Sequence, residues 1–319
     1  MGTDTPEHGS SAGVAAPGRH VGFPPGSSFV LLPRRPARAA RAGLALYEAV
    51  EPRQHFAARV GDTLSRAGLA GLLPTRDRSE VDGRWWEAFI ATVVEPLVGP
   101  VASCAFRVPG NPRVSALALD AAGMPLAFAK LLNTVAPQLP AEVSEILSSA
   151  DTQSFRAPRT LAEGSFDGWI YRVLEPLPEG LHHAPGYDPN RVARIVDEFH
   201  KRLDGVGRPV GVPPSYVLCH ADLTPRNLRV ASDGSWWLFD WDNVRWGPKL
   251  SDELRYWCAW FAYRRKPDVA RDAGNVLRLL LARGSAQDVR EAVAWPDRVA
   301  QTYRAIEGAM LRTVGEMAQ

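Results

Sequence analysis

The chain has 319 residues, of which 45% are hydrophobic, and a formal net charge of +2. This length can form one large or two modest cores, and the small net charge gives no indication of nucleic acid as a partner. The three cysteines are widely separated and form no CxxC pair. Neither a disulfide framework nor a structural zinc site is therefore predicted, and a reducing compartment is expected.

The beginning of the chain contains no predicted element. Residues 1–26 are rich in Gly, Pro, Ser and Ala and poor in large apolar residues, so we expect a disordered leader. This stretch lacks the apolar core of a secretory signal. No apolar run in the chain approaches the roughly 18 residues that a membrane-spanning helix needs. We therefore expect a cytoplasmic protein without a membrane span.

The spacing of apolar residues predicts an α-rich segment over residues 27–99. A short strand is predicted at residues 27–33. A helix is predicted from about residue 53 to residue 69, and a second one lies around Trp85 and ends before Gly99. No motif in this segment indicates a function.

From residue 101 to residue 132 the pattern changes to short β runs. The runs VASCAFRV, VSALALD and PLAFAKLL are separated by segments that favour turns, which predicts two consecutive hairpins. Lys130 lies near the end of the third run. A helix is predicted to begin at Pro140, with Glu142 and Glu145 one turn apart on the same face.

The chain then changes from strands to helices. The strand WIYRVL, at residues 169–174, leads into a proline-rich segment that contains Glu175 and Leu177. An amphipathic helix is predicted over residues 188–204, with Asp188 as its N-cap. Beyond Asp252 the chain is predicted to be helical.

The residues best suited to chemistry lie between Tyr216 and Asp252. An apolar run leads into His220-Ala221-Asp222, Asn227 follows five residues after the aspartate, and a second apolar run ends on Asp240. This order predicts a strand, a polar loop, a short strand, a turn, and a strand that ends on an aspartate.

Phosphoryl transfer needs these residue types in this order. One carboxylate orients the attacking hydroxyl and accepts its proton, and two further oxygen ligands hold Mg²⁺ against the triphosphate. Asp222 fits the base, and Asn227 and Asp240 fit the magnesium ligands. Any one of these residues alone would more commonly cap a turn. Several polar residues in register between two apolar runs favour the catalytic interpretation.

The same stretch resembles the aminoglycoside-phosphotransferase-like family, the small-molecule branch of the protein-kinase-like fold. The usual family signature is H-G-D-x-x-x-x-N, followed by a D-W-E or D-x-D segment. This chain has Ala221 in place of the usual glycine, and Asp242 where glutamate is common. Alanine fits this position unless a positive φ is required. The resemblance is specific in the motif and extends more weakly from about residue 100 to about residue 260.

The resemblance implies a two-lobe α+β fold, preceded by the α-rich segment. The nucleotide-binding lobe is expected over residues 100–176, and the lobe that binds the acceptor and carries the catalytic loop over residues 177–319. Asp252 resembles the family aspartate that steadies the catalytic loop from the following helix.

The resemblance also implies how the nucleotide is bound. Lys130 falls where the family places its phosphate-binding lysine. Either Glu142 or Glu145 is expected to pair with it, and the choice stays open. Backbone groups near Glu175 and Leu177 correspond to the hinge that contacts the adenine edge.

The function that the resemblance implies is Mg²⁺-dependent transfer of a phosphoryl group from ATP or GTP to a hydroxyl of a small molecule, such as a sugar or natural product. One alternative is a Ser/Thr kinase that acts on a precursor peptide. Another is a nucleotide-binding pseudokinase scaffold, against which the intact trio Asp222, Asn227 and Asp240 argues. The excess of basic residues after Asp252 disfavours a polycationic aminoglycoside as acceptor, and no motif names the acceptor.

Overall fold

The chain divides into two compact units. Unit 1 comprises residues 1–136 and 160–176, and unit 2 comprises residues 137–159 and 177–319. The computed structural model describes residues 20–23, 30–33, 35–44, 46, 52–69, 83–107, 113–133, 141–148, 153–183, 186–263, 267–295 and 305–319. Most of the predicted leader lies outside these ranges. No helix within them is long and apolar enough to cross a membrane.

Unit 1 contains a seven-stranded antiparallel sheet, with the spatial order β1-β2-β3-β4-β5-β7-β6. The strands are β1 (His20–Phe23), β2 (Val30–Pro33), β3 (Ser103–Arg107), β4 (Arg113–Leu119), β5 (Pro125–Asn133), β6 (Thr160–Phe166) and β7 (Trp169–Leu174). Strands β3 to β5 coincide with the three β runs predicted between residues 101 and 132. They are joined as two consecutive hairpins.

The first strand lies inside the segment that the sequence assigned to the disordered leader. Residues His20–Phe23 pair along their whole length with β2, and β2 in turn pairs with β3 through Val30 and Leu31. A strand of four residues is too short to produce a recognisable alternation. Phe23, the last residue of the strand, is 1% exposed.

The helices of unit 1 cover both faces of the sheet. They are α1 (Ala37–Leu44), α2 (Pro52–Arg66), α3 (Gly83–Phe89), a π-helical turn (Ile90–Val94) and α4 (Glu95–Val98). On one face, Ala39 of α1 is buried with Ala105 and Leu117. On the other face, Phe89 and Ile90 are buried against side chains of β3 to β5.

Helix α1 approaches the sheet closely because its inner side consists of small residues. A Cβ atom built on Gly43 would lie 2.7 Å from the Cβ of Ala105 and 2.7 Å from a methyl carbon of Leu32. Only glycine therefore permits this separation. The N-terminal segment thus packs directly on the strands that carry Lys130 and its neighbours.

Unit 2 is mainly helical and contains two small antiparallel sheets, β11-β10-β8 and β12-β9. Its strands are β8 (His182–His183), β9 (Tyr216–Cys219), β10 (Leu228–Val230), β11 (Trp236–Leu238) and β12 (Arg245–Pro248). Its helices are α5 (Ala141–Ser148), α6 (Pro189–Leu203), α7 (Ser251–Ala262), α8 (Val269–Leu281), α9 (Ala286–Ala294) and α10 (Ala305–Met317). The predicted α+β class, with a sheet-rich part and a helical part, is confirmed.

Two helices build the part of unit 2 that carries the polar loop. Helix α6 begins after Asp188, whose side chain accepts a hydrogen bond from the backbone N–H of Arg191, and it buries the face that the sequence pattern predicts. Helix α7 is buried on nearly all sides, including its acidic first turn. A buried charge is costly unless it is paired, so the charged residues of α7 require partners inside unit 2.

Unit 1 combines the predicted leader, the α-rich segment and most of the nucleotide-binding part. The chain passes from unit 1 into unit 2 between Pro176 and Leu177, which is the predicted limit. Residues 137–159 also belong to unit 2, although the sequence placed them in the nucleotide-binding part. Helix α5, with Glu142 and Glu145, therefore lies in unit 2.

We expect the N-terminal strands to contribute to the stability of unit 1. Leu32 is completely buried, whereas Phe56 on α2 is 70% exposed. Leu32→Ala should lower the free energy of unfolding by about 2–4 kcal/mol, and the control Phe56→Ala by less than about 1 kcal/mol. Chemical unfolding of the full chain measures both changes. Similar losses in the two variants would contradict a core role for β2.

Candidate active site

The polar loop lies between two strands that fix its ends. Strand β9 ends at Cys219, and β10 begins at Leu228. Strand β11 pairs with β10, and the hairpin brings the two polar segments together because the N–H of Phe239 donates to the carbonyl of Asn227 at 3.0 Å. Asp240 follows Phe239 directly, so the hairpin places Asn227 and Asp240 side by side at one end of the strand pair.

Asn227 and Asp222 are in direct contact. The Nδ2 of Asn227 donates to the backbone oxygen of Asp222 at 2.8 Å and to its carboxylate Oδ2 at 3.1 Å. The other carboxylate oxygen of Asp222 lies 3.1 Å from Nη2 of Arg255. The Asp222 side chain is 18% exposed. Its carboxylate is therefore held from two sides while part of it stays accessible.

A second aspartate holds the backbone of the loop. Asp252, in the first turn of α7 and 1% exposed, accepts hydrogen bonds from the N–H groups of His220 at 2.8 Å and Ala221 at 2.9 Å. The Nε2 of His200 lies 3.3 Å from the same carboxylate. Burial acts to raise the pKa of Asp252, but its hydrogen bond with His200, the charge of His200 and the hydrogen bond from the backbone N–H of His220 together lower it. Asp252 is therefore held as a carboxylate.

Helix α7 also contacts the loop through Arg255, three residues after Asp252. Its Nη1 donates to the carbonyl oxygen of Ala221 at 2.6 Å, in addition to the ion pair with Asp222. One turn of a buried helix thus supplies an acceptor for two N–H groups of the loop and a donor for its carbonyl and carboxylate.

His220 connects the loop to the end of β11. Its Nε2 lies 3.1 Å from the carbonyl oxygen of Phe239, and its Nδ1 accepts from the N–H of Asp222 at 3.3 Å. An imidazole with its proton on Nε2 satisfies both hydrogen bonds. His220 is 1% exposed and serves as a structural link between the two segments that carry Asp222 and Asp240.

Two residues of the site have left-handed backbone conformations. Ala221 has φ +58° and Asp240 has φ +68°. Aspartate tolerates this region better than most residues, whereas for alanine it costs about 1–2 kcal/mol. The position thus requires the positive φ that alanine adopts only with strain. The hydrogen bonds from Ala221 to Asp252 and from Arg255 to Ala221 offset this strain.

The electrostatic environment makes Asp222 more basic than an ordinary aspartate. Burial raises the pKa of its carboxyl, and the nearby charge of Asp240 raises it further. Arg255 opposes this shift most strongly, and Arg226 opposes it less. Such a carboxylate is better suited to accept a proton than an exposed one.

A cluster of potential metal ligands lies beneath the loop. His200, Cys219 and Asp252 place one ligand atom each within 4.8 Å of one another. Both oxygens of Asp252 already accept backbone hydrogen bonds, and burial raises the pKa of the Cys219 thiol. A thiol binds a metal as thiolate. The arrangement therefore fits a buried hydrogen-bond network rather than a metal site.

The other residues predicted to act on the nucleotide are divided between the units. Lys130 lies on β5 of unit 1 and is partly buried, and Glu175 lies just after β7 of the same unit. Glu142 and Glu145, both exposed on α5, belong to unit 2, as does Leu177. The pairing of Lys130 with a glutamate of α5 and the role of the hinge stay predictions.

The sequence interpretation missed Arg255 and the partner of His200. A signal for Arg255 was present, because a residue three positions after Asp252 shares its helix face. His200 was interpreted as a structural residue of α6, without a partner. Its contact with Asp252 joins residues 52 positions apart, and no local pattern indicates such a contact.

Comparison with known proteins agrees with this geometry. Residues 182–296, which include the loop, both metal-ligand candidates and Asp252, match the sequence model of the APH phosphotransferase enzyme family. No curated protein sequence matches the chain.

Two solved structures are similar to the chain at low identity. A thermostable mutant of aminoglycoside phosphotransferase APH(4)-Ia, in a ternary complex with ADP and hygromycin B, shares 11% identity and a TM-score of 0.40, over 71% of this chain and 88% of that one. Aminoglycoside phosphotransferase APH(3'')-Id from Streptomyces rimosus shares 15% identity and a TM-score of 0.30, over 63% of this chain and 89% of that one.

Residues 182–296 therefore resemble a phosphotransferase enzyme family, and Asp222, Asn227 and Asp252, which make the contacts described above, lie within this range. The resemblance of the chain to the aminoglycoside-phosphotransferase-like family, which the motif predicted, is confirmed by the same match.

Removing the charge of Asp252 should destabilise unit 2. Asp252→Asn places an amide N–H₂ where backbone N–H groups need an acceptor. We therefore expect the free energy of unfolding to fall by about 3 kcal/mol. The matched control is Asp204→Asn, at an exposed position just after α6. Chemical unfolding of both variants measures the difference. A loss no larger than that of the control would contradict the clamping role of Asp252.

The same residue predicts a pH dependence. The pKa of Asp252 is lower in the folded than in the unfolded chain. The contribution of its carboxylate to the free energy of unfolding is therefore complete above the pKa of the unfolded chain, and it is lost as the pH falls through the pKa of the folded chain. The stability difference between wild type and Asp252→Asn should narrow as the pH falls below about pH 3.9, the ordinary aspartate value. A difference that grows on acidification below about pH 3.9 would contradict this assignment.

Ala221→Gly should be tolerated and should leave the loop in place. Glycine removes the backbone strain, which raises the free energy of unfolding by about 1–2 kcal/mol. Two effects lower it: the lost burial of one methyl group, by about 0.8 kcal/mol, and the greater conformational freedom of the unfolded chain, by slightly less than about 1 kcal/mol. Thermal unfolding should therefore show a change within about 1 kcal/mol. Ala221→Val, which cannot adopt this φ readily, should destabilise clearly more. Equal effects of the two substitutions would contradict a strained conformation at this position.

Proposed function

We propose that the chain catalyses Mg²⁺-dependent transfer of the γ-phosphoryl group of ATP or GTP to a hydroxyl group of a small molecule. The observation that carries this proposal is the contact between Asn227 and the Asp222 carboxylate, beside the strand end that bears Asp240. A base, an amide ligand and a carboxylate ligand in one place are the parts that this reaction requires.

Asp222 is the proposed base. Its partly accessible carboxylate accepts a hydrogen bond from the acceptor hydroxyl and orients that oxygen. It takes the hydroxyl proton as the new P–O bond forms and the bond from the γ-phosphorus to the β–γ bridging oxygen breaks, which releases the nucleoside diphosphate. Arg255 and Asn227 hold the carboxylate by its two oxygens. The base is thereby kept in one rotamer, which preserves the alignment that in-line transfer needs.

Asn227 and Asp240 are the residues that would hold Mg²⁺. The Nδ2 of Asn227 points to Asp222, so its Oδ1 is the atom for a cation. An amide oxygen with a carboxylate oxygen suits a hard cation that keeps several of its ligands as water and phosphate. When bound, Mg²⁺ neutralises charge on the β- and γ-phosphates.

The remaining nucleotide contacts are proposed from the family resemblance. Lys130 would bind the phosphates, with Glu142 or Glu145 as its partner, and the backbone around Glu175 and Leu177 would contact the base. Support for Lys130 comes from its partly exposed position on a central strand of the sheet.

The charges beside Asp222 are balanced. The guanidinium groups of Arg255 and Arg226 act on its carboxyl, and the nearby carboxylate of Asp240 acts in the opposite sense. Arg226 also lies over the ring of Tyr263, at 5.9 Å from its centroid. The observation that disfavours a polycationic acceptor is therefore the excess of basic residues after Asp252.

The test compares Asp222→Asn with wild type, by nucleotide affinity and by turnover with an acceptor, or by slow ATP hydrolysis if no acceptor is known. We expect turnover to fall by about 10²–10⁴-fold while ATP affinity barely changes, because the phosphates are held by other residues. Asp240→Ala, in contrast, should weaken Mg²⁺-ATP binding.

Two results would contradict the proposal. Equal turnover of wild type and Asp222→Asn would remove Asp222 from the reaction. Tight ATP binding without turnover by wild type, across sugars, natural products and candidate peptides, would support the scaffold alternative.

A further inference from the structure

Strand β11, which leads to Asp240, has a neighbour on each of its edges. One neighbour is β10, with which it forms the antiparallel hairpin. The other is Arg156, whose N–H donates to the carbonyl of Trp236 at 2.6 Å and whose carbonyl accepts from the N–H of Leu238 at 2.9 Å. The strand end that precedes Asp240 is therefore hydrogen-bonded on both sides.

Arg156 belongs to a short stretch, the bracing segment (residues 153–157), which is held by helix α6. Both oxygens of the Glu198 carboxylate accept hydrogen bonds from the backbone of this segment. Oε1 accepts from the N–H of Gln153 at 3.0 Å, and Oε2 accepts from the N–H of Ser154 at 2.8 Å. One side chain of α6 thus satisfies two consecutive N–H groups, just before the contact with β11.

A second residue of α6 contacts both the bracing segment and β11. The Nη2 of Arg191 donates to the carbonyl of Ser154 at 3.0 Å, and its guanidinium lies over the ring of Trp236, at 5.8 Å from the centroid. Phe155 is 2% exposed, and its ring centroid lies 6.5 Å from that of Phe199 on α6. Helix α6 therefore holds the segment by hydrogen bonds and by a buried aromatic side chain.

The surroundings of Glu198 keep its carboxylate charged. Burial acts to raise its pKa, but hydrogen bonds from the Ser154 side chain, from the backbone of Gln153 and Ser154 and from Arg202 together lower it. The Glu198 side chain is 17% exposed, and Nη2 of Arg202 lies 3.3 Å from its Oε1. A charged acceptor makes stronger hydrogen bonds to N–H groups than a neutral one. The carboxylate thus suits the task of holding two backbone amides.

Asp240 depends on such support because its backbone is strained. Its φ of +68° is uncommon for a residue other than glycine, and a conformation of this kind persists where the surrounding structure enforces it. Strand β11 has only three residues and supplies few contacts of its own. Removing a group that orients a metal ligand typically costs about 10–100-fold in metal affinity. Support for β11 therefore has a chemical consequence.

We propose that Glu198 is a positioning residue for Asp240. Its carboxylate holds the bracing segment against β11, and β11 in turn fixes the strained strand end that presents Asp240 beside Asn227. This inference rests on the proposed function in taking Asp240 to be a magnesium ligand. It goes beyond that function because neither Glu198 nor the bracing segment belongs to the catalytic motif.

The experiment measures ATP binding to the full chain by calorimetry, from metal-free solution with EDTA to saturating Mg²⁺. For Glu198→Gln, the Mg²⁺ concentration that gives half of the gain in ATP affinity should rise by about tenfold, because an amide offers one acceptor oxygen to two N–H groups. Binding of metal-free ATP should stay within about twofold of wild type. Glu198→Asp, which keeps both acceptor oxygens, should recover part of the loss. Glu316→Gln, at an exposed position on α10, is the matched control.

A pair of substitutions at Arg156 tests the bracing segment itself. Arg156→Pro removes the N–H that bonds to β11. Arg156→Ala keeps this N–H and removes only the exposed side chain with its ion pair to Asp233. The proline variant should raise the Mg²⁺ requirement as Glu198→Gln does, whereas the alanine variant should not. If the proline variant does not fold, the two Glu198 variants decide the question.

A stability control separates positioning from a general loss of packing. Val289→Ala, at a completely buried position on α9, lowers the melting temperature by creating a cavity on a different helix. Its Mg²⁺ requirement should match that of wild type.

The outcomes distinguish this inference from the proposed function. If Asp240→Ala removes the Mg²⁺ dependence and Glu198→Gln leaves it unchanged, the positioning role is overturned and the proposed metal site stands. Equal weakening of metal-free and Mg²⁺-bound ATP in Glu198→Gln, or an equally raised Mg²⁺ requirement in Val289→Ala, would show a merely structural role and overturn the inference. A Mg²⁺ dependence that survives Asp240→Ala would contradict the proposed function and this inference together.

Discussion

The geometry of the site depends on one buried carboxylate. Asp252 lies in the first turn of a helix that is itself almost wholly buried. Its carboxylate accepts hydrogen bonds from the N–H groups of two consecutive loop residues, His220 and Ala221. A buried charge is tolerated only when it is fully paired. If the helix and the loop separated, the carboxylate would lose these hydrogen bonds and be left unpaired in an apolar environment. Through this contact the packing of unit 2 sets the positions of Asp222 and Asn227.

The candidate residues of the site could be grouped from the sequence because they are close together in it. Asp222 and Asn227 lie on one loop, and Asp240 follows the next hairpin, so spacing and strand pattern were enough to select them as one set. The structure adds the contact between Asp222 and Asn227, and the catalytic roles of the three residues stay predictions. The conformation of Ala221 was not predictable in this way. Its φ of +58° follows from hydrogen bonds to Asp252 and Arg255, more than 30 residues away.

The fold shows the same division between local and distant information. The hairpins of β3 to β5 follow from turn residues and alternation, and they were predicted. Strand β1 was not, because four residues acquire a strand conformation only by pairing with β2. The register that places Arg172 opposite Lys130 joins residues 42 positions apart, with α5 between them in sequence. Register of this kind depends on tertiary packing, and no pattern in either segment reveals it.

Helix α1 has a consequence for ligand geometry. Ala39 and Ala105 are completely inaccessible to solvent where the helix meets the sheet, and Gly43 brings the backbone close enough to exclude any side chain. A flat aromatic ring cannot enter that contact. The apolar strip of Ala105 and Leu117 is therefore closed to a nucleobase. The N-terminal segment thus acts as a steric boundary for what the sheet can bind.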